Sequence, residues 1–264
     1  MAISENYKKI LAKKEPEKNL LISLKSHAGR NFSGRITVRH QGAGVKKMYR
    51  IIDFGQNKIG IKGKVIALEY DPYRTAFIAM IEYDDKEKRY QIAASELKVG
   101  DTVFCKEAAE IKIGNRMQVK NIPVGTLIFN IELEPGKGGK IVRSAGSSAR
   151  VLAYEGKYAN IEMPSGEVRM VPKDCYATIG AVSNPEWRYV NIRKAGSARL
   201  KGIRPRVRGT AMNPVDHPHG GGEGRTTIGL KYPKTPWGKH ALGVKTRNNK
   251  KWTSKYIIQR RKKK

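Results

Sequence analysis

The chain has 264 residues, with 53 Lys and Arg against 23 Asp and Glu, for a formal net charge of +30. A surplus of that size calls for a polyanionic partner, while hydrophobic residues at 39% still allow a folded core and exclude a wholly disordered chain. No stretch reaches the ~18 consecutive apolar residues of a membrane span, the N-terminus lacks the apolar run of a secretory signal, and Cys105 and Cys175 stand outside any CxxC pair, which excludes disulfide scaffolds and cysteine-based zinc modules and predicts buried thiols in a reducing compartment.

Residues 1–58 hold 13 basic and 4 acidic side chains and read as a basic N-terminal extension. Its weakly periodic Tyr7–Lys13 is the one short helix expected there. Two basic clusters follow, one with Arg35, Arg39 and His40 and one ending in Arg50; these four are candidate RNA contacts. Residues 59–198 carry 21 basic and 17 acidic side chains and read as a globular body. Its apolar residues follow strand spacing in Lys64–Tyr70, Ala76–Tyr83, Arg89–Ala93, Asp101–Cys105 and Thr126–Ile131, separated by turn signals such as Asp71-Pro72 and Asp84-Asp85. After the Gly-rich break Pro135–Lys140, which contributes Lys137 and Lys140 as candidate contacts, come Ala149–Tyr154, Tyr158–Met163, Glu167–Val171 and Ala177–Val182, with Ser165-Gly166 fitting a hairpin turn. The reading is all-β: two consecutive small barrels, residues 59–130 and 131–198, with basic extensions on both sides.

Residues 199–264 hold 19 basic and 2 acidic side chains. Self-repulsion at that density favours an extended chain until a partner neutralises it. Within this segment Gly209–Arg225, GTAMNPVDHPHGGGEGR, cannot form a regular element, and its glycines permit close approach to another backbone or a ligand. The preferred reading is a loop threaded into folded RNA, with Arg204, Arg206, Arg208 and Arg225 on phosphates and Asn213, Asp216, His217 and His219 near sugar or base edges. Three competing readings lose on spacing. His217 and His219 flank a proline and lack the i, i+4 placement of a zinc pair. Asp216-His217 has no serine or cysteine at a recognisable elbow to complete a triad. Gly238–Thr246 inserts Val244 between the second glycine and Lys245, which spoils the phosphate-loop pattern. Tyr49, Trp187, Trp237 and Trp252 interleave with the basic runs as candidate stacking residues, and the tail supplies Arg260 and Arg261.

The segment NPVDHPHGGGEGR closely resembles the signature of the large-subunit ribosomal protein two family of the bacterial and organellar type. The likeness extends through Thr235–Gly238, Lys245–Arg247 and Gly202–Met212, and upstream through Gly34–Thr37, Tyr49–Phe54, Leu68–Pro72, Asn121–Gly125, Pro135–Gly139 and Arg143–Gly146. It departs from the family at Gln41–Lys46, and residues 1–28 match least. The resemblance implies an oligonucleotide-binding-type barrel over 59–130, an SH3-like barrel over 131–198, and basic extensions buried in large-subunit ribosomal RNA. It adds Arg143, Lys245 and Arg247 to the candidate contacts. It further implies a non-enzymatic role in assembly, subunit association and the architecture near the peptidyl transferase centre. The expected partners are neighbouring ribosomal proteins and small-subunit RNA at a bridge, with no membrane, no metal site and no cofactor beyond Mg2+ as an RNA counterion. Cytoplasmic ribosomes are the expected location, with an organellar matrix or stroma as the other setting.

Overall fold

The computed structural model describes residues 7, 10–248 and 250–261. They form two compact units, each assembled from segments remote in sequence: Met1–Lys25, Lys46–Asn191 and Trp252–Lys264 in one, Ser26–Val45 and Ile192–Lys251 in the other.

In the first unit, strands β1 (Leu21–Ser23) and β2 (Met48–Arg50) pair as an antiparallel ribbon with Ile22 opposite Tyr49. A four-stranded antiparallel sheet follows, made of β3 (Lys62–Glu69), β4 (Ile78–Tyr83), β5 (Lys88–Ile92) and β6 (Thr102–Phe104) in the order β5-β4-β3-β6. The β-branched and aromatic runs seen in the sequence supply these strands. Val65 and Ala67 face inward along β3, and Ile78–Ile81 are almost wholly buried in β4. Between β3 and β4 the buried Asp71 carboxylate accepts the Tyr73 N–H (2.8 Å) and the Arg74 Nε–H (2.5 Å), which fixes the turn. Residues from the N-terminal extension complete this core: Ile52 is buried, and the Tyr7 ring meets Phe77 edge-on at 5.1 Å while its hydroxyl donates to Asn184 Oδ1 (2.6 Å). The helix expected over Tyr7–Lys13 includes Lys8 and Lys9, which lie outside the described residues; Leu11 N–H does donate to the Tyr7 carbonyl.

A seven-stranded antiparallel sheet contains β7 (Arg116–Gln118), β8 (Leu127–Phe129), β9 (Ala149–Glu155), β10 (Tyr158–Glu162), β11 (Val168–Pro172), β12 (Tyr176–Ile179) and β13 (Ile257–Gln259). Its order is β13-β11-β10-β9-β8-β12-β7. Gly166, at φ 77°, closes the expected β10–β11 hairpin in a conformation that costs glycine least. The all-β reading holds, although among the described residues both sheets are open in strand order rather than closed rings. Two placements differ from the sequence reading. The strand within Thr126–Ile131 pairs with β9 and β12 and so belongs to the second sheet, and the basic C-terminal segment contributes an edge strand to that sheet.

Strand β8 joins two hydrophobic clusters, because successive side chains of a strand point to opposite faces. Ile128 sits in the cluster of the second sheet with Val151, Ile161 and Val171, whereas Phe129 sits in the cluster of the first with Tyr90 and Val182. Beside it, fully buried Arg116 donates to Glu132 Oε1 (2.9 Å) and to the Asn130 carbonyl (2.8 Å). Both cysteines are free and buried, and burial pushes the Cys105 thiol up to about 11 and the Cys175 thiol up to about 12.

The second unit has little regular structure. Its helix α1 (Ala195–Leu200) exposes or half-exposes every residue, which explains why no apolar stripe announced it. The two segments hold each other through backbone bonds: Gly42 N–H donates to the Gly202 carbonyl (2.7 Å), Val45 N–H to that of Leu200 (3.0 Å), and Arg204 N–H to that of His40 (3.0 Å). A Cβ added at Gly44 would come within 2.9 Å of backbone atoms of Leu200 and Gly202, so this close approach needs glycine. Among the described residues, no helix is long and apolar enough to cross a membrane.

Candidate nucleic-acid interface

The Gly209–Arg225 loop is organised around one histidine. Residues Gly209–Ala211 make a single 3-10 turn, Asp216 and His217 N–H groups both donate to the Asn213 carbonyl (3.0 and 3.3 Å), and Gly220 N–H returns to the His217 carbonyl (2.8 Å). Gly221 N–H then bonds the Met212 carbonyl (3.1 Å) and closes the loop. His217 is 7% exposed at its centre. A Cβ on Gly209 would lie 2.5 Å from its ring, so glycine is what admits the imidazole.

His217 Nδ1 accepts the His219 N–H (3.0 Å), and His219 Nε2 accepts the Lys234 N–H (2.8 Å). Each bond requires an unprotonated acceptor nitrogen, so the ring protons sit on His217 Nε2 and His219 Nδ1. Desolvation first, then His217 and the Lys234 charge, hold the His219 imidazole below its ordinary value. Among the described residues, no group of three His, Cys, Asp or Glu is placed to hold a metal ion.

Around this loop the cations face outward. Arg204, Arg206, Arg208 and Arg225 are exposed and form no ion pair among the described residues, and Asn213 and Asp216 are exposed beside them. Val215, at 92% exposed, marks the tip of a surface that nothing of its own unit covers. In the same unit the Arg39 guanidinium lies 5.4 Å from the ring centre of Trp237, itself 74% exposed. His40 Nδ1–H donates to the Pro205 carbonyl (3.1 Å), so this histidine braces the backbone that presents Arg204 and Arg206. Arg35 is exposed in a turn ordered by the Asn31 carboxamide, and Lys245 and Arg247 are exposed further along.

The first unit has its own basic cleft, with a volume of about 660 Å³, lined by Tyr49, Phe54, Tyr73, Arg74, Lys140 and Arg143 among others. The guanidinium carbons of Arg143 and Arg74 lie 4.4 and 5.5 Å from the centre of the Phe54 ring, and Tyr73 meets Tyr49 edge-on at 5.5 Å. Arg74 is held by buried Asp71, whereas Lys140 and Arg143 form no ion pair among the described residues. Burial and the nearby Arg74 charge draw Arg143 below its ordinary value, the mark of a cation lacking its counter-charge. Sequence reasoning missed Arg74; its only local signal was a basic residue closing the Asp71-Pro72 turn. Lys137 points elsewhere, paired with Glu134, and Arg50 turns back to the Met48 carbonyl (2.9 Å). Arg260 and Arg261 are exposed just beyond β13.

Open sheets flanked by uncompensated cations and exposed aromatic rings are the surface of a nucleic-acid-binding protein. Two family models match the chain: the RNA-binding N-terminal domain of Ribosomal Proteins L2 over residues 17–105, and the C-terminal domain of Ribosomal Proteins L2 over residues 112–238. Together they cover most of the sequence, and the chain belongs to the ribosomal protein L2 family. It is a structural protein of the large ribosomal subunit that binds ribosomal RNA, not an enzyme.

Proposed function

We propose that this protein clamps large-subunit RNA at two places, through the Arg74–Arg143 cleft and through the arginine-studded Gly209–Arg225 loop, and thereby supports assembly and subunit association near the peptidyl transferase centre. The observation that carries this reading is charge without compensation: Lys140 and Arg143 in the cleft, and the four arginines around the loop, lack carboxylate partners among the described residues. Cations left without a counter-charge gain when a phosphate supplies it, and the half-buried Arg143 gains most. His217 serves as the internal post of its loop, and the outward Asn213 and Asp216 are left for RNA or a small-subunit bridge. Mg2+ enters only as a counterion of the RNA. The four-stranded sheet acts as an oligonucleotide-binding-type module and the seven-stranded sheet, which takes up Arg116–Gln118 and Leu127–Phe129 from within residues 59–130, as an SH3-like one.

The test is reconstitution of large subunits at limiting protein. Lys140→Ala with Arg143→Ala should lower occupancy of the chain about tenfold or more, as expected when charge-assisted bonds are removed. Unchanged occupancy would remove the cleft from the reading.

A further inference from the structure

The seven-stranded sheet ends at β13, and the residues leading into that strand build an aromatic cluster. Trp252 meets Tyr256 at 6.0 Å with the rings near perpendicular (87°), and Tyr256 meets Tyr158 of β10 at 6.0 Å and 64°. Trp252 is 66% exposed, a large fraction for a tryptophan held in a folded turn. The Lys255 ammonium lies 5.1 Å from the Tyr256 ring centre, and Lys157, Arg260 and Arg261 are exposed on the adjoining segments. Residues 224–264 contain 14 Lys and Arg and no Asp or Glu. The cluster also lies outside the residues matched by either family model, Tyr158 excepted.

From this geometry we infer a third, separate RNA contact: the Trp252–Tyr256–Tyr158 cluster stacks an unpaired nucleotide of the RNA while Lys255 and Arg260 hold its phosphates. Two observations fix the occupant's chemistry. An exposed indole beside further rings offers a π-face, which any base can use and a duplex with its bases paired and stacked inside cannot. The surrounding cations, without a carboxylate in the whole terminal segment, select an anion over an apolar or acid-neutral peptide. The inference rests on the RNA-binding function and adds to it a preference for single-stranded RNA at a defined place.

Fluorescence titration of the full chain tests it, with Trp187→Phe and Trp237→Phe leaving Trp252 as sole reporter. A short oligoadenylate should quench Trp252, and a duplex RNA of mixed sequence should quench it far less. Read by the anisotropy of a dye-labelled oligoadenylate, Trp252→Leu in the otherwise unsubstituted protein should weaken binding ~10-fold, whereas Trp252→Phe should retain most of it, as expected when one base is deprived of its stacking ring. Equal binding by the Leu and Phe variants, or equal quenching by duplex, overturns the inference. Photocrosslinking of a bromouridine oligomer to the unsubstituted protein guards against a variant that misfolds: adducts at Trp252 or Tyr256 are expected, and adducts confined to other residues overturn it. Binding of a large-subunit RNA fragment is followed in parallel. If that binding persists while oligoadenylate ignores Trp252, only this inference fails; if the fragment binds no better than random RNA, the broader reading fails with it.

Discussion

Arg116 is a charge held in the protein interior by its forked geometry. One arm bonds the Asn130 carbonyl and Thr178 Oγ1 (2.8 and 3.3 Å), the other bonds Glu132 Oε1, and Glu132 Oε2 in turn accepts N–H groups of Gly136 and Tyr176 (3.2 and 3.1 Å). Burial draws the guanidinium below its ordinary value, and the Glu132 carboxylate opposes that shift. Arg116→Ala would leave the carboxylate buried and unpaired, so urea unfolding should report a loss of about 3–5 kcal/mol, and Arg116→Lys should recover little because a single ammonium cannot replace the planar fork. Glu69 is a second buried acid, 4% exposed, whose Oε2 accepts the Tyr90 hydroxyl (2.8 Å). Burial raises its carboxyl above the ordinary value, against the Tyr90 hydrogen bond and the charges of Arg50 and Lys14, with Glu17 adding to the rise. The stability tied to the neutral form is therefore full below the ordinary glutamate pKa and is lost as pH rises through the raised one. Glu69→Gln keeps an acceptor for Tyr90 and removes the titration. Thermal melts should show the variant more stable than the parent at pH 8 and equal to it at pH 4.

At the scale of elements, β13 changes what the basic C-terminal segment is for. Its residues Gln259 and Ile257 pair with Val168 and Arg169 of β11, and so cover an edge that would otherwise present unpaired backbone groups. A chain ending at residue 251 should lose amide protection along β11 in hydrogen exchange while the β3–β4–β5 ladder keeps its own; equal loss in both sheets would show that β13 is not a local cover. The long strands were legible because runs such as Lys64–Tyr70 and Ala76–Tyr83 carry β-branched and aromatic residues between turn signals. The short ones were not. β7 is Arg-Met-Gln with a buried arginine, so it has no apolar alternation to read, and β1, β2 and β13 are three residues each amid charged neighbours. Thr126–Ile131 was legible as a strand but not as a member of the second sheet, since pairing with β12 depends on residues about fifty positions away.

For the whole molecule, charge was readable and its convergence was not. Composition locates the excess positive charge on residues 1–58 and 199–264, yet the Ser26–Val45 and Ile192–Lys251 segments that make one unit meet through backbone bonds no local pattern encodes. Arg74 and Arg143 likewise share a cleft although 69 positions separate them. Binding to large-subunit RNA should weaken steeply with salt, and replacing Arg204, Arg206 and Arg208 with alanine should flatten the log–log slope by roughly 0.7–0.9 for each phosphate no longer neutralised. A slope that stays unchanged would place those three side chains away from phosphate.

Strand β8 sends Ile128 into one hydrophobic interior and Phe129 into the other, and Val142 touches both. Three residues of backbone thus rivet two sheets together: opening either interior withdraws an adjacent side chain from its neighbour. Damage at that point cannot be quarantined. A lesion within β8 therefore reaches both interiors at once, and heat should melt the two sheets of this unit in a single transition, whereas a loss at a distant edge such as β13 stays local.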